Sequence, residues 1–138
     1  MPDSSAIENA LITKLLADGA LMAITTDGVF FDEAAPNLTK FVIVSLVEEF
    51  DEPMFGGRAV EDALFQVKAV ALSTSGANIQ TAAARIDTLL EQGTLTVAGY
   101  SLMTLRRESR VRHTETDDAD PSIRWQHRGG NYRITVSP

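Results

Sequence analysis

The stretch from Val60 to Glu91 constrains this chain most, because its apolar residues change period once, from two to about 3.6. Ala63, Phe65, Val67, Ala69 and Ala71 fall on every second position and so share one face of a strand. The intervening Asp62, Leu64, Gln66, Lys68, Val70 and Leu72 are mixed, as on a sheet with one fully covered side. Ser73-Thr74-Ser75-Gly76 breaks the alternation, after which Ile79, Ala83, Ile86 and Leu90 recur as a helical stripe. Ser75 is the expected N-cap of that helix and Gly93 its stop. Ala63, Ala69, Ala71, Ala82 and Ala83 are small enough to let helix and sheet lie close. Nothing in this unit is catalytic in type; it is a scaffold that presents surfaces.

The flanking sequence supplies the remaining elements. Ser5-Ala6-Ile7-Glu8 has the form of a capping box and predicts a helix from about Ala6. Its apolar stripe is Ile7, Leu11 and Leu15, and Asp18-Gly19 ends it. Leu21 to Ile24 reads as one further helical turn, Thr26-Asp27-Gly28 as a turn, and Val29-Phe30-Phe31 as a short strand. Asp32 to Lys40, with Pro36 and Asn37, is a connecting loop. Phe41 to Phe50 is apolar on both faces until Glu48 and predicts a central strand.

Asp51 to Arg58 reads as the connection to the core strand. It follows an acidic cluster of Glu48, Glu49, Asp51 and Glu52 and carries Met54 and Phe55 in a polar setting. Two readings stay open: the Phe folds back on the core, or the loop projects and keeps its apolar tip for a partner.

Thr94 to Val97 and Ser101 to Thr114 are the next expected strands. Along the second, Arg106, Glu108, Arg110 and Arg112 alternate and are expected on one face. Four charges in a row are not buried against a core, so they meet water or another chain's acidic groups. Glu115 to Pro121 is an acidic turn, and Ile123 to Val136 a strand interrupted by a bulge at Gly129-Gly130. The order predicts one α+β domain over residues 1–138, a mainly antiparallel sheet with helices packed on one face.

Charge and composition exclude several classes. With no cysteine, disulfides and thiolate chemistry are absent. No apolar run approaches the roughly 18–20 residues of a membrane helix. The start Met-Pro-Asp-Ser-Ser lacks a signal peptide's basic and apolar segments, so a soluble, intracellular chain is expected. A net charge of −7 argues against non-specific phosphate binding. The charge is uneven: residues 1–105 hold 5 basic and 14 acidic side chains, residues 106–138 hold 7 and 5. Such a split fits either a solvated face or a head-to-tail contact between copies.

No constellation of residues announces chemistry. His113 and His127 are not at a ligand spacing, and Asp117, Asp118 and Asp120 lack the Gly and Glu of a calcium loop. Gly56-Gly57-Arg58 and Gly129-Gly130 match no phosphate-cradling motif. No catalytic, metal or cofactor-binding residue is assigned. A small ligand-binding or enzymatic domain whose site assembles only in three dimensions stays as the rival from another class, and a deep pocket with convergent titratable groups would mark it.

The layout resembles the tail completion, or tail terminator, proteins of long-tailed bacteriophages. The resemblance runs from about Ile7 to Val136. It is carried by the opening helix, the Pro36 approach to Phe41–Glu49, and Phe65-x-Val67 leading to an alanine-rich helix ending Leu89-Leu90. Arg106-Arg107-Glu108, the acidic turn and Tyr132-Arg133-Ile134 complete it. The acidic Asp51–Arg58 connection and Trp125–Gly130 depart from the pattern.

The resemblance implies a non-enzymatic virion protein without cofactors, assembled in the host cytoplasm into a ring, typically hexameric. The ring sits at the head-proximal end of the tail tube, ends tube growth and offers the head-joining surface; a neck or head-completion protein is the alternative within that class. Implied partners are other copies of itself, the tail tube protein and a head-completion or connector protein, with DNA passing through the lumen unbound and no membrane involved. Met54, Phe55, Arg58, Arg106, Arg110 and Arg112 are the expected contact residues.

Overall fold

The alternating stretch is the middle strand of a five-stranded sheet. The computed structural model describes residues 4–54, 57–72, 77–91, 93–120 and 122–137. In chain order the elements are α1 (Ser4–Leu16), α2 (Gly19–Met22), β1 (Val29–Phe31), β2 (Lys40–Met54), β3 (Gly57–Leu72), α3 (Ala77–Leu90), β4 (Ser101–Thr116) and β5 (Arg124–Ser137). The strand order is β1-β2-β3-β5-β4. β1 runs parallel to β2 and every other pairing is antiparallel. The α+β reading holds. Among the described residues no helix is long and apolar enough to cross a membrane.

The helices lie on the face that carries the small and aromatic residues. Ala63, Phe65, Val67, Ala69 and Ala71 of β3 join Val42 and Val44 of β2 and Tyr132, Ile134 and Val136 of β5 in one core. Ile7, Leu11 and Leu15 of α1 and Ile79, Ala82, Ile86 and Leu90 of α3 close it from above. Each large side chain buried here contributes roughly 1.5–3 kcal/mol. The buried α3 stripe runs through Ala82; the expected Ala83 is only partly covered. On the opposite face a smaller cluster of Phe41, Ile43 and Val70 is covered by Phe30, Ala34, Leu38 and Trp125. The loop between β1 and β2 folds over it, and its far end is fastened to the turn before β1, where Asp27 Oδ2 accepts the Thr39 and Lys40 amides at 2.9 and 3.0 Å.

Strand length sets what the helices leave bare. β2, β3, β4 and β5 have 15, 16, 16 and 14 residues, and such strands run about 50 Å at roughly 3.3 Å per residue. α3 has 14 residues and covers only about 21 Å. Both hairpin ends therefore reach past the helical layer. Beyond the Glu61–Val136 pair β3 leaves β5, and Glu52–Val60, Pro53–Arg58 and Met54–Gly57 join β2 and β3 alone. The segment expected as a loop is thus a two-stranded arm.

Three further expectations change. Residues 94–97 form no strand; they run as an extended passage that buries Leu95 and Val97. β5 continues through Gly129-Gly130 without a break in its pairing to β3. A Cβ on Gly129 would stand 2.0 Å from the Val67 carbonyl oxygen, so glycine is needed for close approach rather than for a bulge. The irregularities lie in the β2–β3 pairing, between Leu46 and Glu48 and between Glu52 and Pro53, and in β4, where the register shifts between Leu102 and Thr104 and between Arg107 and Ser109. A one-residue insertion reverses every side chain beyond it. Arg106 therefore lies opposite Arg133, on the sheet face away from the helices, while Arg110 and Arg112 lie opposite Gly130 and Arg128 on the helical side. The expected single face of Arg106, Glu108, Arg110 and Arg112 is split in two.

Candidate functional site

Four adjacent strands meet in one ionic hub on the bare face of the sheet. Arg133 of β5 donates to Asp62 Oδ1 of β3 at 2.8 Å, to Glu48 Oε1 of β2 at 2.9 Å, and to the Glu108 carboxylate of β4. The Arg133 side chain is 15% exposed, its partners between 24 and 42%. Arg133 holds the Glu108 carboxyl below the usual carboxylate range, with Arg106 adding to the effect. Glu108 shares the Arg106 face of β4 by ordinary alternation and so reaches Arg133. On the helical face Asp87 of α3 accepts from Tyr132 Oη at 3.0 Å and from Arg107 at 2.7 Å. Burial first, and the Asp87 charge second, push the Tyr132 phenol up. Glu91 accepts the Arg107 amide, so α3 is bound to the edge strand by two carboxylates.

These pairs bear on the uneven charge of the sequence. Arg107 and Arg133, from the basic last part, pair within the chain with Asp87, Glu48 and Asp62 from the acidic first part. Part of the split is therefore internal. Arg106, Arg110 and Arg112 form no ion pair with another described residue, and all three are exposed. Across the ladder, Arg112 faces Arg128, and Thr116 faces Arg124. Arg110, Arg112, Arg124 and Arg128 thus share the helical side of the β4–β5 hairpin; Arg128 donates to Gln80 of α3 at 3.0 Å and is half-buried, while the other three are exposed. Of the other expected contact residues, Phe55 lies outside the described residues, as do the side chains of Met54 and Arg58. The backbones of Met54 and Arg58 belong to the arm.

Above the β1–β2 loop the bare face opens into a hollow of about 500 Å³ lined by Phe41, Lys68, Val70, Glu115, Trp125 and His127, among others. At its rim His127 stacks on His113, with ring centroids 4.0 Å apart. The His127 ring lies 3.1 Å from the Glu115 carboxylate through Nε2. Burial, with the nearby Lys68 and His113 charges, pushes the His127 imidazole down to about 4, against an opposing pull from Glu115. The acidic turn that follows β4 is spent on itself: Asp117 Oδ1 accepts the Ala119 and Asp120 amides, and Asp120 Oδ1 accepts from Ser122.

Sequence spacing missed both clusters. The two histidines are fourteen positions apart, yet they sit symmetrically about Asp120, which in a hairpin turning there makes them cross-strand neighbours. That symmetry is the one signal that would have paired them. Arg133 offered none, since its partners are 25 to 85 positions away.

Comparison with known proteins places the fold. A solved chain described as "Virion of native gene transfer agent (GTA) particle" is similar over 98% of this chain and 97% of its own, with a TM-score of 0.73 and 20% identity. A second solved chain aligns over 99% and 96%, with a TM-score of 0.58 and 14% identity. No curated protein sequence matches. At these identities the structures share the fold. The family model described as "Tail completion protein gp17" matches residues 9–137, nearly the whole chain. The chain belongs to the tail completion protein gp17 family and is a phage tail structural protein.

Proposed function

We propose that copies of this chain join head-to-tail into a closed ring, hexameric in number, that caps the head-proximal end of a tail tube. The ring ends tube polymerisation and presents the surface to which the head is joined. The observation that carries this reading is the arm. Residues 52–54 and 57–60 pair only with each other beyond the sheet, and an isolated two-stranded ribbon is marginal in water. An arm of this kind gains stability by lying on a neighbour.

The arm itself carries Glu52, Met54 and Arg58, and the acidic run Glu48-Glu49 and Asp51-Glu52 leads into it, with Glu48 held by Arg133 inside the sheet. Arg110, Arg112, Arg124 and Arg128 lie toward the other end of the long strands. Two unlike, complementary patches on one chain are what a heterologous, ring-closing contact requires. Met54, Phe55 and Arg58 at the arm and Arg106, Arg110 and Arg112 on the edge strand are the contact residues of this reading. The tail tube protein meets one face of the ring and a head-completion or connector protein the other. The net charge of −7 lets DNA traverse the lumen without adhering. Assembly takes place in the host cytoplasm and the product is carried in the virion tail.

The test is tube polymerisation with purified tail tube protein, with oligomer size followed by light scattering. The unaltered chain is expected to form rings and to limit tube length. The Arg110→Glu/Arg112→Glu variant is expected to weaken the ring, more so at low salt, and to release tube growth. Unchanged oligomer size and tube length in that variant would remove β4 from the interface.

A further inference from the structure

His113 and Glu115 lie two residues apart on β4, and His127 stands directly across from His113 on β5. One ligand atom from each of the three side chains lies within 4.8 Å of the others. Donors bound to a single ion at about 2.0–2.2 Å stand about 3.3 Å apart in a tetrahedral set, so a modest side-chain rotation closes the site. His113 and Glu115 are exposed and make it by exchanging the ring stack and the 3.1 Å contact they already form with His127, which is only 8% exposed. The His127 nitrogen that faces the set is Nε2, 3.1 Å from the Glu115 carboxylate. Its low exposure makes His127 the fixed member, to which His113 and Glu115 adjust.

We propose that His113, Glu115 and His127 bind a divalent transition-metal ion of the zinc, nickel or copper class. Two imidazoles and one carboxylate suit such ions, whereas magnesium and calcium take oxygen ligands. The ion would crosslink β4 to β5 just before the acidic turn, on the sheet face away from the helices. Glu115 and His127 also line the hollow. Lys68 is the opposing charge at the site. Its ammonium acts on both Glu115 and His127, which moderates the affinity without supplying a competing ligand set. The site is separate from the arm and the basic strip, so its fate does not depend on the ring.

Equilibrium dialysis of the full chain, stripped with a chelator, tests this with zinc, nickel and magnesium chlorides in turn. Cobalt substitution supplies a visible absorption band as a second readout. Zinc and nickel are expected to bind at one ion per chain and magnesium not to bind. His113→Ala and Glu115→Gln alter exposed side chains and leave the core intact; each is expected to weaken zinc at least about tenfold and to abolish the cobalt band. Absence of zinc binding by the unaltered chain, or equal zinc affinity in the folded variants, would overturn the proposal. Equal binding of magnesium would overturn the assigned metal class.

Discussion

Replacing Arg133 with Met keeps the aliphatic stem and removes the one cation shared by Glu48, Asp62 and Glu108. Three charge-assisted hydrogen-bonded contacts are lost, at 2.8 Å to Asp62, 2.9 Å to Glu48, and to Glu108. Breaking a fully buried pair costs about 3–5 kcal/mol, whereas an exposed pair is worth at most about 1 kcal/mol. Here the guanidinium is 15% exposed and its partners 24–42%, which places each contact near the surface value. Three such losses, with about 0.8 kcal/mol of repulsion between carboxylates left roughly 5 Å apart in a water-like dielectric, come to about 3 kcal/mol.

Urea unfolding followed by circular dichroism measures the loss. Acid supplies the second arm of the assay. The Glu108 carboxyl is held below its ordinary 4.5 in the folded state. Its contribution is therefore full above that pH and is lost as pH falls through the lowered value. The gap between the unaltered chain and Arg133→Met is expected to narrow below about pH 4.5. A variant within about 0.5 kcal/mol of the unaltered chain at neutral pH, or a loss independent of pH, would refute the hub as a structural clamp.

Two further perturbations probe the same architecture. Gly129→Ala places a Cβ 2.0 Å from the Val67 carbonyl oxygen and 2.5 Å from Lys68 Cα. Because both are backbone, the β3–β5 ladder must part, with an expected loss of about 3 kcal/mol or failure to fold, read by thermal unfolding. Asp18→Ala removes the α2 cap bond to the Leu21 amide at 2.9 Å and the paired bonds from Arg85 at 2.8 and 2.7 Å, for an expected loss of about 1–2 kcal/mol in urea unfolding. Arg85 holds the Asp18 carboxyl below its ordinary 3.8, so this loss is full above that pH and fades beneath it.

Much of the fold is written locally. The period-two run in β3, the helical stripe of α3, the Asp27-Gly28 turn and the Pro36 loop are each set by neighbours a few residues apart, because backbone hydrogen bonding and burial repeat on that scale. Hence the α+β class, the family resemblance and the order of elements, apart from the strand expected at 94–97, were legible in the chain alone. The length of the β2–β3 hairpin was not, since an acidic Pro- and Gly-bearing stretch reads as a loop until a partner strand supplies its hydrogen bonds.

The facing of β4 was decided only in three dimensions. One extra residue opposite Tyr132 and Asn131 leaves Glu108 on the Arg133 side with Arg106 but turns Arg110 and Arg112 to the other, and strict alternation along one strand cannot reveal it. The Arg133 hub and the His113–Glu115–His127 cluster arise in the same way. Each depends on register between strands far apart in sequence, and register is fixed by the whole sheet closing on its core rather than by any residue's neighbours in the chain.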